Sequence, residues 1–335
     1  MMSSVMGSVI MAIRTPGLRD FIMKVRSSSS RRVAPASPGL SAELRRPAQV
    51  PADEGESWRS VVMDNGATED AGAAAVRLQA FARQRDAKKQ VVKRLVEKET
   101  GSQVVTPDGK GMLLYVRGGQ DGAVVGDCPF CHKVLMALRL KEISPTLLVV
   151  GADLRAPGLS LMAQTPCLPT LALADGTTYG DSESVLEYLH RDYSGRGAPL
   201  LVEGNEDMAR AVSPLWDTLQ TWYASADGAE AVAALLEEAV ADLNSRCARL
   251  SRDDFLLSTP APSAIDCNLA PKLLHLSVIA KELKGWDITD GQPELSAYMD
   301  RVFATDAFKE TAPSREDVIW GWAEGGTAKS SGRLA

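Results

Sequence analysis

The chain has 335 residues, of which 45% are hydrophobic, so it is long enough for two packed domains with appended segments. A formal net charge of -6 argues against a general nucleic-acid-binding protein, and no run approaches the ~20 consecutive apolar residues of a transmembrane helix. The five cysteines are an odd number spread over a long chain, which favours a reducing compartment over a secreted disulfide framework.

Residues 1–55 are predicted to be a disordered organelle transit peptide. Up to residue 50 there are seven arginines and a serine run, Ser27–Ser30, against only two acids, Asp20 and Glu43. Arg-rich, Ser-rich and acid-poor composition is typical of transit peptides. We expect a chloroplast, with a mitochondrion as the alternative. A disordered tail without a targeting role is the competing interpretation.

Residues 56–109 are predicted to be a linker that contains a basic helix over about 71–99. After Gly72 this stretch holds Ala, Leu, Arg, Lys and Gln with no Gly or Pro, and Gly101 and the turn at 107–109 end it.

Residues 76–91 of this helix have the spacing of an IQ-type calmodulin-binding segment, with Gln84 in place of the usual glycine. A basic amphipathic helix is a known type of calmodulin ligand. A solvated basic linker helix is the alternative. The residues at the motif positions are Leu78, Gln79, Arg83, Lys88 and Val91.

Residues 110–195 alternate between strand and helix patterns. "MLLYVR" and "TLLVV" are β-rich runs, and "PFCHKVLMALRLKE" between them has apolar residues at helical spacing. "LPTLALADGTTYG" predicts a hairpin that turns at Asp175–Gly176, and "SESVLEYLH" predicts a second helix. The order βαβ–ββα is that of a thioredoxin-like domain.

Residues 200–322 are helical in pattern and predict an all-helical C-terminal domain, followed by a disordered tail over 323–335. The clearest amphipathic run is "AEAVAALLEEAVADLNSRCARL". Ser263 and Asp266 have the offset of a capping box at the start of another helix. This feature has a structural role only.

The motif Cys128-x-x-Cys131 is compatible with a structural metal, a disulfide or a reactive thiolate. A zinc site needs four ligands, and no second C-x-x-C pair exists to complete one. We therefore predict no metal. The three histidines (His132, His190 and His275) are isolated and are expected at the surface or in packing positions.

The thiolate interpretation has direct support from the sequence. Pro129 is tolerated in the first turn of a helix, so Cys128 is expected at the helix N-terminus, where free N–H groups and the helix dipole favour an anion. Such a position lowers the pKa of a thiol from ~8.5 to ~3.5–7.5. Cys128 is the predicted nucleophile. Cys131, one turn deeper, is either a resolving thiol or a small buried apolar residue.

Four segments together resemble the glutathione-transferase-fold dehydroascorbate reductases of plants and algae, in order from about Leu113 to Trp322. The opening also resembles the chloride-intracellular-channel (CLIC) proteins, but the late segments favour the reductases. The segments are "GDCPFCHKVLMALRLKE", "CLPTLALADGTTYGDSESVLEYL", "DDFLLSTPAPSAIDCNLAPKLLHLSVIAKELKGW" and "VIWGWA". The resemblance implies a thioredoxin-like domain followed by an all-helical domain.

The resemblance also implies roles for individual residues. Cys128 would be catalytic, and Asp127 and Arg117 would line the ascorbate pocket, with Arg117 where the family usually has a lysine. Leu168 and a cis Pro169 would pair with the cysteinyl group of glutathione.

The γ-glutamyl group of glutathione would be held at the start of a helix. The resemblance assigns this role to Asp181 and Ser182, although the same pair could serve only as a helix N-cap. Cys167 departs from the family, which commonly has a long polar residue there.

The function implied is the glutathione-dependent reduction of dehydroascorbate. The Cys128 thiolate would attack the oxidised substrate or be oxidised by it, and glutathione, as co-substrate, would resolve the product through a mixed disulfide. A thiol transferase acting on protein–glutathione disulfides would have the same residues. A CLIC-like protein that meets membranes is the alternative from another class.

Overall fold

The structure is a computed structural model. The predicted transit peptide, residues 56–70 and all but the first residue of the predicted tail lie outside the described residues. The residues it describes are 71–151, 156–162, 167–200, 206–225 and 229–323.

The first half of the described chain forms a four-stranded mixed sheet with helices packed on it. The strand order is β2-β1-β3-β4, with β1 and β2 parallel and the other two pairings antiparallel. This is the βαβ–ββα order predicted from the sequence. The elements are α1 (Ala71–Thr100), β1 (Met112–Arg117), α2 (Pro129–Leu140), β2 (Thr146–Val150), α3 (Leu159–Met162), β3 (Thr170–Leu173), β4 (Thr178–Tyr179) and α4 (Ser182–Asp192).

The predicted hairpin joins β3 to β4 at Asp175–Gly176. The Thr177 N–H donates to Asp175 Oδ1 over 2.8 Å, which closes the turn. Gly176 has φ +87°, and a Cβ there would lie 2.6 Å from the carbonyl oxygen of Lys89 in α1. Glycine is therefore required at this position both by the backbone conformation and by the close approach of α1.

The helix α1 packs on the sheet through its C-terminal part. It contacts β1, β3 and α3, and Val92 and Val96 are 1% and 0% exposed. All of Met112–Val116 in β1 is buried, and because successive strand side chains point to opposite faces, both faces of β1 are covered. Tyr115 Oη donates to the carbonyl of Pro157, which precedes α3.

The second half of the described chain is entirely helical between its loops, as predicted. The central helix α7 contacts α2 of the first half and also α5, α8 and α10. Among the described helices, none combines the length and apolar character needed to cross a bilayer. The helices are α5 (Glu206–Ala224), α6 (Ala229–Cys247), α7 (Ala264–Lys284), α8 (Pro293–Phe303), α9 (Asp306–Lys309) and α10 (Arg315–Ala323).

The capping box predicted at the start of α7 is confirmed. Asp266 Oδ2 accepts from the Ser263 N–H at 2.8 Å and from Ser263 Oγ at 2.7 Å. Its Oδ1 accepts from the Leu256 N–H and from Tyr298 Oη, so one fully buried carboxylate joins α7 to α8 and to the preceding loop. Buried polar groups of this kind are tolerated because every oxygen has a donor.

Candidate active site

The structure places Cys128 at the N-cap of α2, with Pro129 in the first turn. The first helical hydrogen bond runs from the His132 N–H to the Cys128 carbonyl oxygen, over 3.0 Å. Cys128 is 8% exposed. Its thiol therefore sits at the positive end of the helix dipole, in an environment from which most water is excluded.

A hydrogen bond from the neighbouring thiol has the largest influence on Cys128. The Cys131 side chain lowers the pKa of Cys128, and the Cys131 N–H and the positive charge of Arg117 act in the same direction. Burial and the negative charge of Asp127 oppose them, but the net direction is downward. A thiol with a lowered pKa is the nucleophilic partner of such a pair.

Cys131 is suited to donate to Cys128. It is fully buried, and burial together with the adjacent Cys128 raises its pKa well above the usual value, so it keeps its proton. The main-chain N–H of Arg117 in turn donates to Cys131 Sγ over 3.4 Å. A chain of hydrogen bonds therefore runs from the end of β1 through Cys131 to Cys128, which the sequence motif alone did not indicate.

Asp127 is held against the C-terminal helix. It is 1% exposed, and a Cβ on Gly321 would lie 2.0 Å from its Oδ2 atom. Only glycine leaves room for the carboxylate, so α10 touches the residue that precedes Cys128. In the sequence, Gly321 stood out only as part of the closing motif of the resemblance, and no role was predicted for it.

The histidines have packing roles. Burial lowers the pKa of His132 and of His275 to about 3, so both are neutral at pH 7. The His132 ring lies 4.9 Å from the Phe308 ring, and the Trp322 indole N–H donates to His275 Nδ1 over 2.8 Å. His190 Nδ1 contacts the Leu200 carbonyl oxygen.

An aromatic cluster links the start of α2 to the helical domain. The Trp216 ring packs edge-on against His275 at 5.2 Å and against Trp322 at 5.4 Å. Phe130, two residues after Cys128, meets Trp216 at 6.0 Å. The helical domain thus fixes the first turn of α2 by packing.

The predicted glutathione-binding residues lie on two connected segments. The Leu168–Pro169 bond is cis. The Cys167 thiol donates to the carbonyl oxygen of Gly180, which joins this segment to the start of α4. Asp181 is the N-cap of α4 and accepts from the Ser184 N–H at 2.8 Å, and Ser182, the first helical residue, is 7% exposed.

An ion pair joins the cysteine helix to the helix that begins at Ser182. Lys133 in α2 is 2% exposed and pairs with Glu183 in α4, whose side chain is 71% exposed. Lys272 in α7 lies nearby and is buried, and burial followed by the charge of Lys133 lowers its pKa to about 8. Sequence reasoning did not single out any of these three residues, because they lie on three different helices.

No group of three or more His, Cys, Asp or Glu side chains that could hold a metal ion occurs within the described ranges. The cysteine pair is accordingly surrounded by a cation, a carboxylate and aromatic rings rather than by further ligands.

Comparison with protein families finds two regions of the chain that are similar to domains of one group of enzymes. The N-terminal domain of glutathione S-transferases matches residues 127–192, and the C-terminal domain of the same enzymes matches residues 226–301.

Two similar curated proteins come from plants. A chloroplastic glutathione S-transferase of Arabidopsis thaliana, DHAR3, is 26% identical over 198 residues, which is 59% of this chain and 74% of the relative. A probable cytosolic glutathione S-transferase of rice, DHAR1, is 28% identical over 202 residues, 59% of this chain and 90% of the relative. Similar relatives are thus assigned to two different compartments.

Solved structures share the fold at low identity. Chlamydomonas reinhardtii dehydroascorbate reductase has a TM-score of 0.56 and 23% identity, and the match covers 66% of this chain and 98% of that one. The CLIC homologue EXC-4 from C. elegans has a TM-score of 0.54 and 18% identity, over 67% of this chain and 92% of that one. These similarities show that this chain has the same fold as both proteins.

Proposed function

Because the chain has the glutathione-transferase fold and matches both domain families of these enzymes, we propose that it is a glutathione-dependent dehydroascorbate reductase. The observation that carries the proposal is the placement of Cys128 at the N-cap of α2 with a lowered pKa. Most glutathione chemistry of this kind requires a thiolate that attacks an oxidised substrate and is then released by thiol exchange. The plant relatives named for this activity support the same choice of substrate.

The proposed reaction begins with addition of the Cys128 thiolate to a carbonyl carbon of dehydroascorbate. A first glutathione thiolate then attacks Cys128 Sγ, the S–C bond breaks, and its electron pair stays with the substrate, which takes up protons and leaves as ascorbate. A second glutathione thiolate attacks the resulting mixed disulfide and releases glutathione disulfide and the Cys128 thiolate. In total, two glutathione molecules are oxidised and one dehydroascorbate is reduced.

Roles for the neighbouring residues follow from their charges. Arg117 would balance the negative charge that develops on the substrate oxygens, and Asp127 would orient the substrate as a hydrogen-bond acceptor. Leu168 and Pro169 would pair with the glutathione main chain, and Ser182 at a helix N-terminus would bind the γ-glutamyl carboxylate.

The proposal is tested by measuring glutathione-dependent ascorbate formation by the protein lacking residues 1–55. In parallel, the same preparation is given a glutathionylated peptide as substrate. Turnover of dehydroascorbate supports the proposal, whereas turnover of the peptide alone would identify a thiol transferase. Lipid binding without turnover of either dehydroascorbate or the peptide would instead favour a CLIC-like function.

Replacing Ser182 by alanine is expected to raise the KM for glutathione about tenfold with little change in kcat. The reason is the loss of one hydrogen bond to a charged group, which contributes about 1.5 kcal/mol or more. Steady-state kinetics at varied glutathione concentration measure this, with Glu187→Ala as the control because Glu187 is exposed on the same helix. An unchanged KM in the Ser182 variant would remove this serine from the glutathione site.

We also propose that residues 1–55 direct the protein to a chloroplast, on the basis of their composition. A fluorescent protein fused behind residues 1–60 is expected to enter plastids when expressed in an algal or plant cell. Substituting the seven arginines of this segment by glutamine provides the control and should abolish entry. Signal in mitochondria, or a uniform cytosolic signal from the unmodified fusion, would contradict the proposal.

A further inference from the structure

The N-terminal half of α1 has no cover from the rest of the described chain. Every residue from 75 to 87 is exposed, whereas the helix packs on the sheet only from about Lys89 onward. Three large apolar side chains lie in this uncovered stretch: Val76, Leu78 and Phe81 are 65%, 57% and 52% exposed. A long solvated helix with apolar side chains of this size is typical of a partner-binding segment.

Leu78 and Phe81 lie on the face of α1 that packs on the sheet further along. Phe81 precedes the buried Val92 by roughly three helical turns, and Leu78 precedes the buried Val96 by roughly five. Residues that are whole turns apart share one side of a helix. The apolar face therefore continues beyond the edge of the sheet. We call Leu78 and Phe81 the docking stripe.

The docking stripe is surrounded by positive charge. The whole chain has a net charge of -6, whereas residues 75–91 contain five cations and a single acid, Asp86. A charge of this sign favours an acidic partner and repels a second copy of the same helix. The cations are Arg77, Arg83, Arg85, Lys88 and Lys89.

The placement of the cations favours a protein groove over a membrane surface. Arg85 and Lys89 follow Leu78 by roughly two and three turns, so they share its face. A lipid-binding helix needs an apolar face free of charges, since charged groups are costly among acyl chains. A groove with an apolar floor and carboxylates on its rim accommodates both kinds of side chain.

We propose that the uncovered half of α1 is the docking site for an acidic EF-hand protein of the calmodulin class. The methionine-lined groove of one open helix pair would receive Leu78 and Phe81, and acidic residues on its rim would pair with Lys88, two turns after Phe81, and with Lys89. The uncovered residues span about 20 Å, a length suited to one such helix pair. This proposal is independent of the proposed catalytic function.

The test measures binding of the chain lacking residues 1–55 to calmodulin by isothermal titration calorimetry, with calcium and with a calcium chelator. We expect binding with calcium, which opens the groove, and weaker binding at high salt, because the interaction has an ionic component. Phe81→Glu should weaken binding at least tenfold. Ala80→Glu, which adds the same charge one residue away and off the docking stripe, should weaken it less than threefold.

Ala80 and Phe81 are exposed and lie outside the proposed catalytic site, so both variants should retain wild-type melting curves and reductase activity. Absence of binding with calcium would overturn the proposal, as would an equal loss of affinity in the two variants. If the chain binds vesicles containing anionic lipid but not calmodulin, and Phe81→Glu abolishes the vesicle binding, the docking stripe is a membrane-binding site. Self-association abolished by Phe81→Glu would assign it to a second copy.

Discussion

Replacing Cys128 by serine is expected to lower glutathione-dependent ascorbate formation by a factor on the order of 10³ or more. A serine hydroxyl at the N-cap of α2 is not ionised near neutral pH, whereas the hydrogen bond from Cys131 and the charge of Arg117 favour a thiolate there. The measurement is steady-state ascorbate formation together with a melting curve. An active, folded Cys128→Ser protein would remove the proposed mechanism.

The two matched changes at Cys131 separate its possible roles. Cys131→Ser keeps a hydrogen-bond donor and should retain most activity, because glutathione itself resolves the intermediate. Cys131→Ala removes the donor that has the largest lowering effect on the pKa of Cys128, so that pKa should rise. Activity of the alanine variant should therefore fall near pH 6–7 and recover as the pH increases, since a higher pH restores the thiolate.

Alkylation of Cys128, followed by mass spectrometry at several pH values, reports this change in pKa without turnover. The pH profile of the alkylation rate should move to higher pH in the alanine variant. The profile of the serine variant should lie closer to that of the wild type. Two inactive but folded Cys131 variants would instead indicate a dithiol pair, with Cys131 as a resolving thiol.

Replacing Lys272 by methionine is expected to stabilise the protein by about 3 kcal/mol at pH 7. Folding lowers the pKa of this lysine from 10.5 to about 8, chiefly through burial and secondly through the charge of Lys133. Each tenfold weakening of proton binding corresponds to ~1.4 kcal/mol, so the charged amine is unfavourable in the folded state. Methionine has a similar shape and carries no charge.

The stabilisation should depend on pH in a definite direction. Below pH 8 Lys272 is charged in both the folded and the unfolded state, so the full free-energy cost of burying the charge applies. Between pH 8 and 10.5 the folded state loses the proton while the unfolded state keeps it, and the cost becomes smaller. The advantage of Lys272→Met should therefore decrease as the pH rises through this range. Urea unfolding at pH 7 and about pH 9.5 measures it, with the exposed Lys309→Met as control. An advantage that is constant with pH would show that the effect comes from packing.

The fold could be predicted from local patterns. Alternating strand and helix periods indicated the thioredoxin-like order, and the capping box at Ser263 and Asp266 indicated the start of a long helix. The location of Cys128 followed from one neighbour, Pro129, because proline in a first turn fixes where a helix begins. These features depend on residues close together in the chain.

The remainder of the site depends on contacts between distant residues. Gly321 is nearly two hundred residues from Asp127, and only the folded chain reveals that its missing side chain makes room for a carboxylate. The shared environment of Lys133 and Lys272 likewise arises from the packing of α2 against α7. A single sequence has no local signal for such pairs.

The packing of α1 on the sheet limits where the chain can be cut without loss of the folded unit. Val92 and Val96 cover β1 and β3, so a protease that cleaved between Thr100 and Met112 would release the helix and expose apolar strand residues to water. The product would be prone to aggregation and further degradation. Removal of the proposed transit segment must therefore leave the chain from Lys89 onward intact, and α1 belongs to the same packed unit as the sheet although the matched family regions begin after it.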